Sequence, residues 1–215
     1  MKKIGIIGSG QVGKALAKGF LNYNYPVMIG SRSAKTQKTI AAEISGKIQA
    51  GDFVKTAQFG EILILAVKES AGMEALNSIG ADHLKGKIVM DATNPIADEP
   101  PQNGVLKFFT SLDKSLMETY QEAFPETKFI KAYSCIGSGL MVNPHFPKGE
   151  KPSMFICGKD ERAKSEVRQI NELFGFDTED MGGVEAARAI EPLSMLWCIP
   201  GFKNNSWSHA FKLLK

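Results

Sequence analysis

The chain has 215 residues, enough for one or two domains at ~150 residues each and for a core burying roughly 70% of the unfolded surface. With 43% hydrophobic and 23% charged residues it has the balance of a soluble globular protein. That excludes disordered, coiled-coil and collagen-like chains, and no run reaches the ~18 apolar residues of a membrane-spanning helix. Net charge is only +3, yet residues 1–60 carry nine lysines and arginines against Glu43 and Asp52. A basic first quarter suits a small polyanionic ligand such as a nucleotide cofactor. No basic stripe interleaved with aromatics accompanies it, so nucleic acid is not expected as a partner; the apolar C-terminal stretch is too short to span a bilayer, so no membrane is expected either.

The elements alternate along the chain. Lys3–Gly8 (KIGIIG) predicts a compact buried strand ending on glycine. Val12, Leu16 and Phe20 then recur every four residues, the face of a helix. Pro26–Gly30 predicts a second strand, Thr36–Ile44 a short helix and Lys47–Gly51 a third strand, with a helical turn through Val54 and Ala57. Glu61–Val67 (EILILAV) is almost continuously apolar, as strands covered on both faces are. A helix is expected over Ser70–Leu84 and a strand over Lys87–Ala92. Asn94–Gly104 is the richest turn cluster. Leu112–Phe124 reads as helix, Lys128–Ser134 as strand, Cys135–Pro152 as a long loop and Ser153–Gly158 as strand. Asp160 sits where an N-cap belongs, before a helix lined by Ala163, Val167, Ile170, Leu173 and Phe174. Phe176–Met181 is a last candidate strand. A final helical region starts near Val184, and Pro192 should kink or break it. The pattern predicts an α/β fold: a Rossmann-type, doubly wound parallel sheet in one domain, residues 1–215, with a short C-terminal helical appendage over about 183–215.

One segment carries chemistry. Gly8-Ser9-Gly10-Gln11-Val12-Gly13 is a G-x-G-x-x-G match between a strand and a helix, the context a dinucleotide site requires. Gly8 permits the tight turn, Gly10 lets the backbone approach a pyrophosphate, and Gly13 lets helix pack closely on strand. The amides and dipole of the helix N-terminus then hold the phosphates. An NAD site would place Asp or Glu about 20 residues on, to bond the ribose 2′-hydroxyl. This chain reads Gly30-Ser31-Arg32-Ser33-Ala34-Lys35 instead. No carboxylate is expected beside a 2′-phosphate there. Ser31 and Ser33 can donate hydrogen bonds, Arg32 can grip the phosphate and Lys35 adds a nearby charge, so NADP(H) is expected over NAD(H).

Ligands bind beyond the carboxyl ends of the strands in such a sheet. Val67 and Lys68 end the fourth strand and Asn94 follows the fifth, so all three should border the nicotinamide half of the cofactor. No Ser/His/Asp or Cys/His constellation stands at an informative spacing, and no catalytic residue is assigned. His83, His145 and His209 are isolated, and no metal site is expected. Cys135, Cys157 and Cys198 are few and far apart, as buried reduced thiols are. Lys2, Lys3 and Ile4–Ile7 faintly imitate a secretion signal, but glycines, Gln11 and Lys14 interrupt it, so a cytoplasmic protein is expected.

With these motifs the chain resembles the NADPH-dependent reductases related to coenzyme F-420-dependent NADP oxidoreductase, whose fold also occurs in the cytosolic domain of the STEAP ferric reductases. The carrying segments are Ile6–Ala17, Ile29–Arg32 (IGSR), Leu65–Lys68 (LAVK), Asp91–Pro95 (DATNP), Lys131–Pro144 and Gly183–Trp197. Where the family usually reads KAFNT, this chain has Lys131-Ala132-Tyr133-Ser134-Cys135. That departure lies beside the expected acceptor pocket and leaves the acceptor open. The resemblance implies NADP(H) held by Ser9, Gly10, Gln11, Val12, Ser31, Arg32 and Lys35, with Val67 and Asn94 near the nicotinamide. It implies hydride passing directly to a small redox acceptor, a deazaflavin or flavin, with Ile136, Met195, Leu196 and Trp197 as candidate apolar walls. Two alternatives stand beside it: reduction of a small keto or imino acid, and an NADPH sensor without turnover. The apolar stretch Pro192–Phe202, with Phe211, Leu213 and Leu214 behind it, should pack on its own sheet or against a partner, and a homodimer is expected.

Overall fold

The computed structural model describes residues 1–44 and 48–215. Its eight strands form a continuous sheet in the order β3-β2-β1-β4-β5-β6-β7-β8. The strands are β1 (Ile4–Ile7), β2 (Val27–Gly30), β3 (Gln49–Gly51), β4 (Ile62–Leu65), β5 (Ile88–Asp91), β6 (Lys128–Lys131), β7 (Ser153–Gly158) and β8 (Asp177–Asp180). The helices are α1 (Gln11–Asn22), α2 (Ala34–Glu43), α3 (Phe53–Phe59), α4 (Gly72–Ile79), α5 (Ala81–Leu84), α6 (Leu116–Ala123), α7 (Glu161–Leu173), α8 (Ala187–Ile190) and α9 (Leu193–Asn204). The expected third strand began at Lys47, which lies outside the described residues.

Every residue of β1, β4 and β5 is buried, because helices cover both faces of the sheet. Side chains of a strand alternate between faces, and the core divides accordingly. Ile4, Ile6, Ile62 and Ile64 join Leu16, Phe20 and Phe174 on one side. Ile7, Leu63, Leu65 and Val89 join Leu76, Tyr120 and Phe129 on the other. Apolar burial at roughly 25 cal/mol per Å2 makes these two layers the main source of stability.

The sheet is parallel from β3 through β6, as expected for a doubly wound fold. The fully parallel expectation needs one correction. Strand β7 runs antiparallel to β6, and β8 runs parallel to β7. Residues 132–152 join β6 to β7 with only short 3-10 turns, so no crossover helix carries the chain back to the starting edge. The helix expected over Ser70–Leu84 is also divided, because Gly80 at φ +85° separates α4 from α5. Asp160 caps α7 by accepting from the Ala163 amide at 2.8 Å. Pro192 interrupts the C-terminal helices between α8 and α9, while Pro200 is accommodated inside α9.

The C-terminal segment folds back on its own chain. Trp207 packs on Gly201 so closely that a Cβ there would lie 2.2 Å from the indole. Trp197 Nε1 donates to the His209 carbonyl at 2.8 Å, and His209 Nε2 donates to the Trp197 carbonyl at 2.8 Å. The Ser153 amide donates to the Phe211 carbonyl at 2.9 Å beside β7.

Candidate active site

The C-terminal ends of β1, β2 and β4 open into one cleft of about 390 Å3. The turn after β1 is its floor. Gly8 has φ +121°, and a Cβ there would stand 2.2 Å from the Ala66 carbonyl oxygen. A Cβ on Gly13 would stand 2.2 Å from the Gly8 carbonyl oxygen. Both positions therefore exclude any side chain. Gly10 differs: nothing lies within 4 Å of its Cβ position, and the residue is exposed. It is the N-cap of α1, which has neither a capping side chain nor an acid in its first turn. The first amides of α1 are thus left for a ligand, in the electropositive field of the helix end. A pyrophosphate fits this open, uncapped turn.

The turn after β2 forms one wall. Ser31 is buried; its Oγ accepts from the Ser33 amide at 3.3 Å, and Gln37 Nε2 donates to its carbonyl at 2.7 Å. Ser33 caps α2 by accepting from the Thr36 amide at 3.3 Å. Both hydroxyls keep their hydrogens to donate. Arg32 is exposed in the cleft.

The lining is completed by residues that sequence reasoning missed: Phe53 of α3, which packs against Gly30 at the end of β2, and Ala71, Glu74, Ala75 and Ser78 in and before α4. Periodicity marks the buried face of a short helix but not which rim of that face borders a cleft. Glu74 Oε2 lies 3.3 Å from Arg32 Nη1. The Arg32 turn holds no carboxylate of its own, but the fold supplies one from α4.

The structure brings Gly8, Ser9, Gly10, Ser31, Arg32, Ser33, Val67 and Lys68 to this cleft. Lys68 is exposed and paired with Asp98. Gln11, Val12 and Gly13 lie behind it in the first turn of α1, and Lys35 lies outside it near the start of α2. Asn94 lies beyond the lining as well. It is buried against the residues after β6: its Nδ2 donates to the Ser134 carbonyl at 2.8 Å, and Ser134 Oγ donates to its Oδ1 at 3.0 Å. Ser134 follows Tyr133, which is held at φ +61°. A bulky residue rarely adopts that conformation, and such strain is concentrated at functional sites.

Beneath Asn94 lies a buried charge cluster that the sequence did not disclose. Lys131 Nζ is fully buried, 2.6 Å from Asp91 Oδ2, 2.8 Å from Glu191 Oε1 and 3.0 Å from the Thr93 carbonyl. Glu191 also accepts from the Leu116 and Met117 amides at 3.0 and 3.1 Å. Burial pulls the Lys131 ammonium toward neutrality, but Asp91 and then Glu191 outweigh it and raise its pKa above the ordinary lysine value. The cluster ties the ends of β5 and β6 to α6 and to the chain between α8 and α9. The thiols of Cys135 and Cys157 are pushed up to about 12 by burial, so neither is a ready nucleophile. Ile136 and Trp197 are buried core residues, whereas Leu196 is exposed. Among the described residues there is no group of three or more potential metal ligands, and no helix is long and apolar enough to cross a membrane.

Residues 3–95 match the family model described as NADP oxidoreductase, coenzyme F420-dependent. The chain resembles the F420-dependent NADP reductases. A solved structure of a putative F420-dependent NADP-reductase from Arthrobacter sp. FB24 superposes with a TM-score of 0.92 at 28% identity, covering 100% of both chains. The F420-dependent NADP reductase of Methanothermobacter thermautotrophicus is 27% identical over 206 residues, covering 90% of this chain and 87% of that one. The metalloreductase STEAP3 of Rattus norvegicus is 28% identical over 202 residues, 92% of this chain. The chain spans only 38% of that metalloreductase's length.

Proposed function

We propose that the chain is an NADP(H)-dependent oxidoreductase that passes a hydride between the nicotinamide and a small redox acceptor, a deazaflavin of the F420 type or a flavin. One observation carries the reading. An uncapped helix N-terminus above an open Gly10 shares a cleft with the Arg32 turn, so a site for a pyrophosphate and one for a 2′-phosphate face the same space. The family match over residues 3–95 supports it.

In this reading Gly8, Ser9, Gly10, Gln11, Val12 and Gly13 form the pyrophosphate turn. Ser31, Arg32, Ser33 and Lys35 hold the 2′-phosphate, Arg32 through charge-assisted hydrogen bonds. Val67, Lys68 and Asn94 border the nicotinamide, with Ser134 fixing the Asn94 carboxamide. The bound nicotinamide supplies the hydride. Direct transfer asks little acid–base work of the protein, which positions the reactants and excludes water. The whole chain, residues 1–215, acts as one cofactor-binding unit with its helical end over about 183–215.

The test is NADPH oxidation by the purified chain, followed by nicotinamide absorbance with deazaflavin and FMN offered in parallel. Rapid loss with deazaflavin is expected. Tight NADPH binding with no loss in either assay would contradict the acceptor assignment and favour a sensor or a small keto or imino acid substrate. We also propose a homodimer, supported by the exposed apolar side chains of Val105, Phe109, Leu112, Leu196 and Phe202. Light scattering should give twice the chain mass; the mass of one chain would remove the dimer.

A further inference from the structure

Glu74 stands in the first turn of α4, where the exposed amides of the helix end favour a carboxylate. That gives it a reason to be in α4, but not a reason to face Arg32. The two side chains come from different elements lining the cleft, the turn after β2 and α4, and meet at 3.3 Å. Both are about two-thirds exposed, at 66% for Arg32 and 70% for Glu74, so the pair is weak and a ligand can displace it. Once displaced, the carboxylate remains in the cleft, because α4 is anchored through the buried residues Ala75, Leu76 and Ile79.

We propose that Glu74 is a specificity-determining counter-charge that competes with the cofactor's 2′-phosphate for Arg32 and holds NADPH affinity below what the Arg32 turn alone would give. The inference rests on the NADP(H) reading of the site. A phosphate monoester carries nearly two negative charges near neutral pH, and Glu74 repels it. The 2′-hydroxyl of NADH is a neutral donor at the same place, and a carboxylate accepts from it, as the acid of an NAD site does. Glu74 therefore narrows the preference for NADPH and speeds its release.

The experiment titrates the full chain with NADPH and NADH at low ionic strength, as wild type and as Glu74→Gln, Glu74→Lys, Arg32→Ala and the double variant Arg32→Ala/Glu74→Gln. Glu74→Gln should tighten NADPH about three- to fivefold, the range of an exposed charge pair, and leave NADH unchanged or slightly weaker. Glu74→Lys should tighten NADPH further, and added salt should shrink both gains. In the Arg32→Ala background the glutamine change should have a smaller effect. Melting without cofactor checks that α4 is intact in each variant. If Glu74→Gln weakens NADPH or leaves it unchanged, Glu74 merely steadies Arg32 or is idle; the inference is then overturned while the NADP(H) reading stands. If the wild type binds neither dinucleotide, that reading fails and this inference falls with it.

Discussion

Two charged regions lie at the same end of the sheet and are built on opposite terms. The turn after β2 sets Arg32 against Glu74 in an open cleft, where both charges keep most of their water. The ends of β5 and β6 set Lys131 against Asp91 and Glu191 with almost no exposure. Exposed pairs stabilise a fold by ~0–1 kcal/mol, whereas stripping one partner from a buried pair leaves an uncompensated charge. The difference separates roles: the first region is free to exchange partners with a ligand, and the second fixes the frame beside which Asn94 and Ser134 sit.

The sharpest way to break this comparison is Lys131→Met. Asp91 and Glu191 would remain buried without their cation, and a loss of about 3–5 kcal/mol in urea unfolding is expected. A loss below ~1 kcal/mol would place the cluster with ordinary surface pairs. Next in size is Gly13→Ala. The new Cβ would meet the Gly8 carbonyl at 2.2 Å, so the alanine's gain in helix propensity is outweighed and a cost of about 1–3 kcal/mol is expected. Its neighbour behaves oppositely. Gly10→Ala has open space, so stability should stay within ~0.5 kcal/mol while, on the proposed reading, NADPH binding weakens about tenfold, because the methyl would stand in the proposed pyrophosphate position. Equal effects of the two alanines on melting would dissolve the distinction between packing and ligand glycines.

The smallest effect concerns acid. Arg188 bonds Glu118 through Nε at 3.0 Å and, with the Ser115 amide, holds its carboxyl down to about 2, against some opposition from burial. A depressed folded-state pKa gives stability that is present above the ordinary 4.5 and is lost as pH falls through about 2. Urea midpoints measured between those pH values should fall for the wild type and fall less steeply for Glu118→Gln. Parallel slopes would remove Glu118 from the acid response.

The sequence made the frame legible where physics is local. Strand runs such as EILILAV announce burial on both faces, and the glycine turn after KIGIIG announces the strand–turn–helix start of the fold. The Asp160 cap and the break at Pro192 are equally local. The direction of β7 was hidden because a strand's composition does not encode orientation; the missing helix between β6 and β7 was the available signal. The cleft's second wall was hidden because Glu74 and Arg32 belong to different crossovers. Lys131 was hidden for the same reason: in KFIKAYS it reads as a strand lysine, and only the pairing of β5 with β6 brings Asp91 to it and only the packing of the segment between α8 and α9 brings Glu191.

The central claim is that the Arg32 turn reads a 2′-phosphate. The most direct measurement is titration of the wild type and Arg32→Ala with NADPH and NADH side by side. NADPH should bind the wild type more tightly than NADH. Arg32→Ala should cost NADPH about 1.5–3 kcal/mol, the range of a charge-assisted hydrogen bond, and leave NADH nearly unchanged. Equal weakening of both dinucleotides, or no preference in the wild type, would contradict the account.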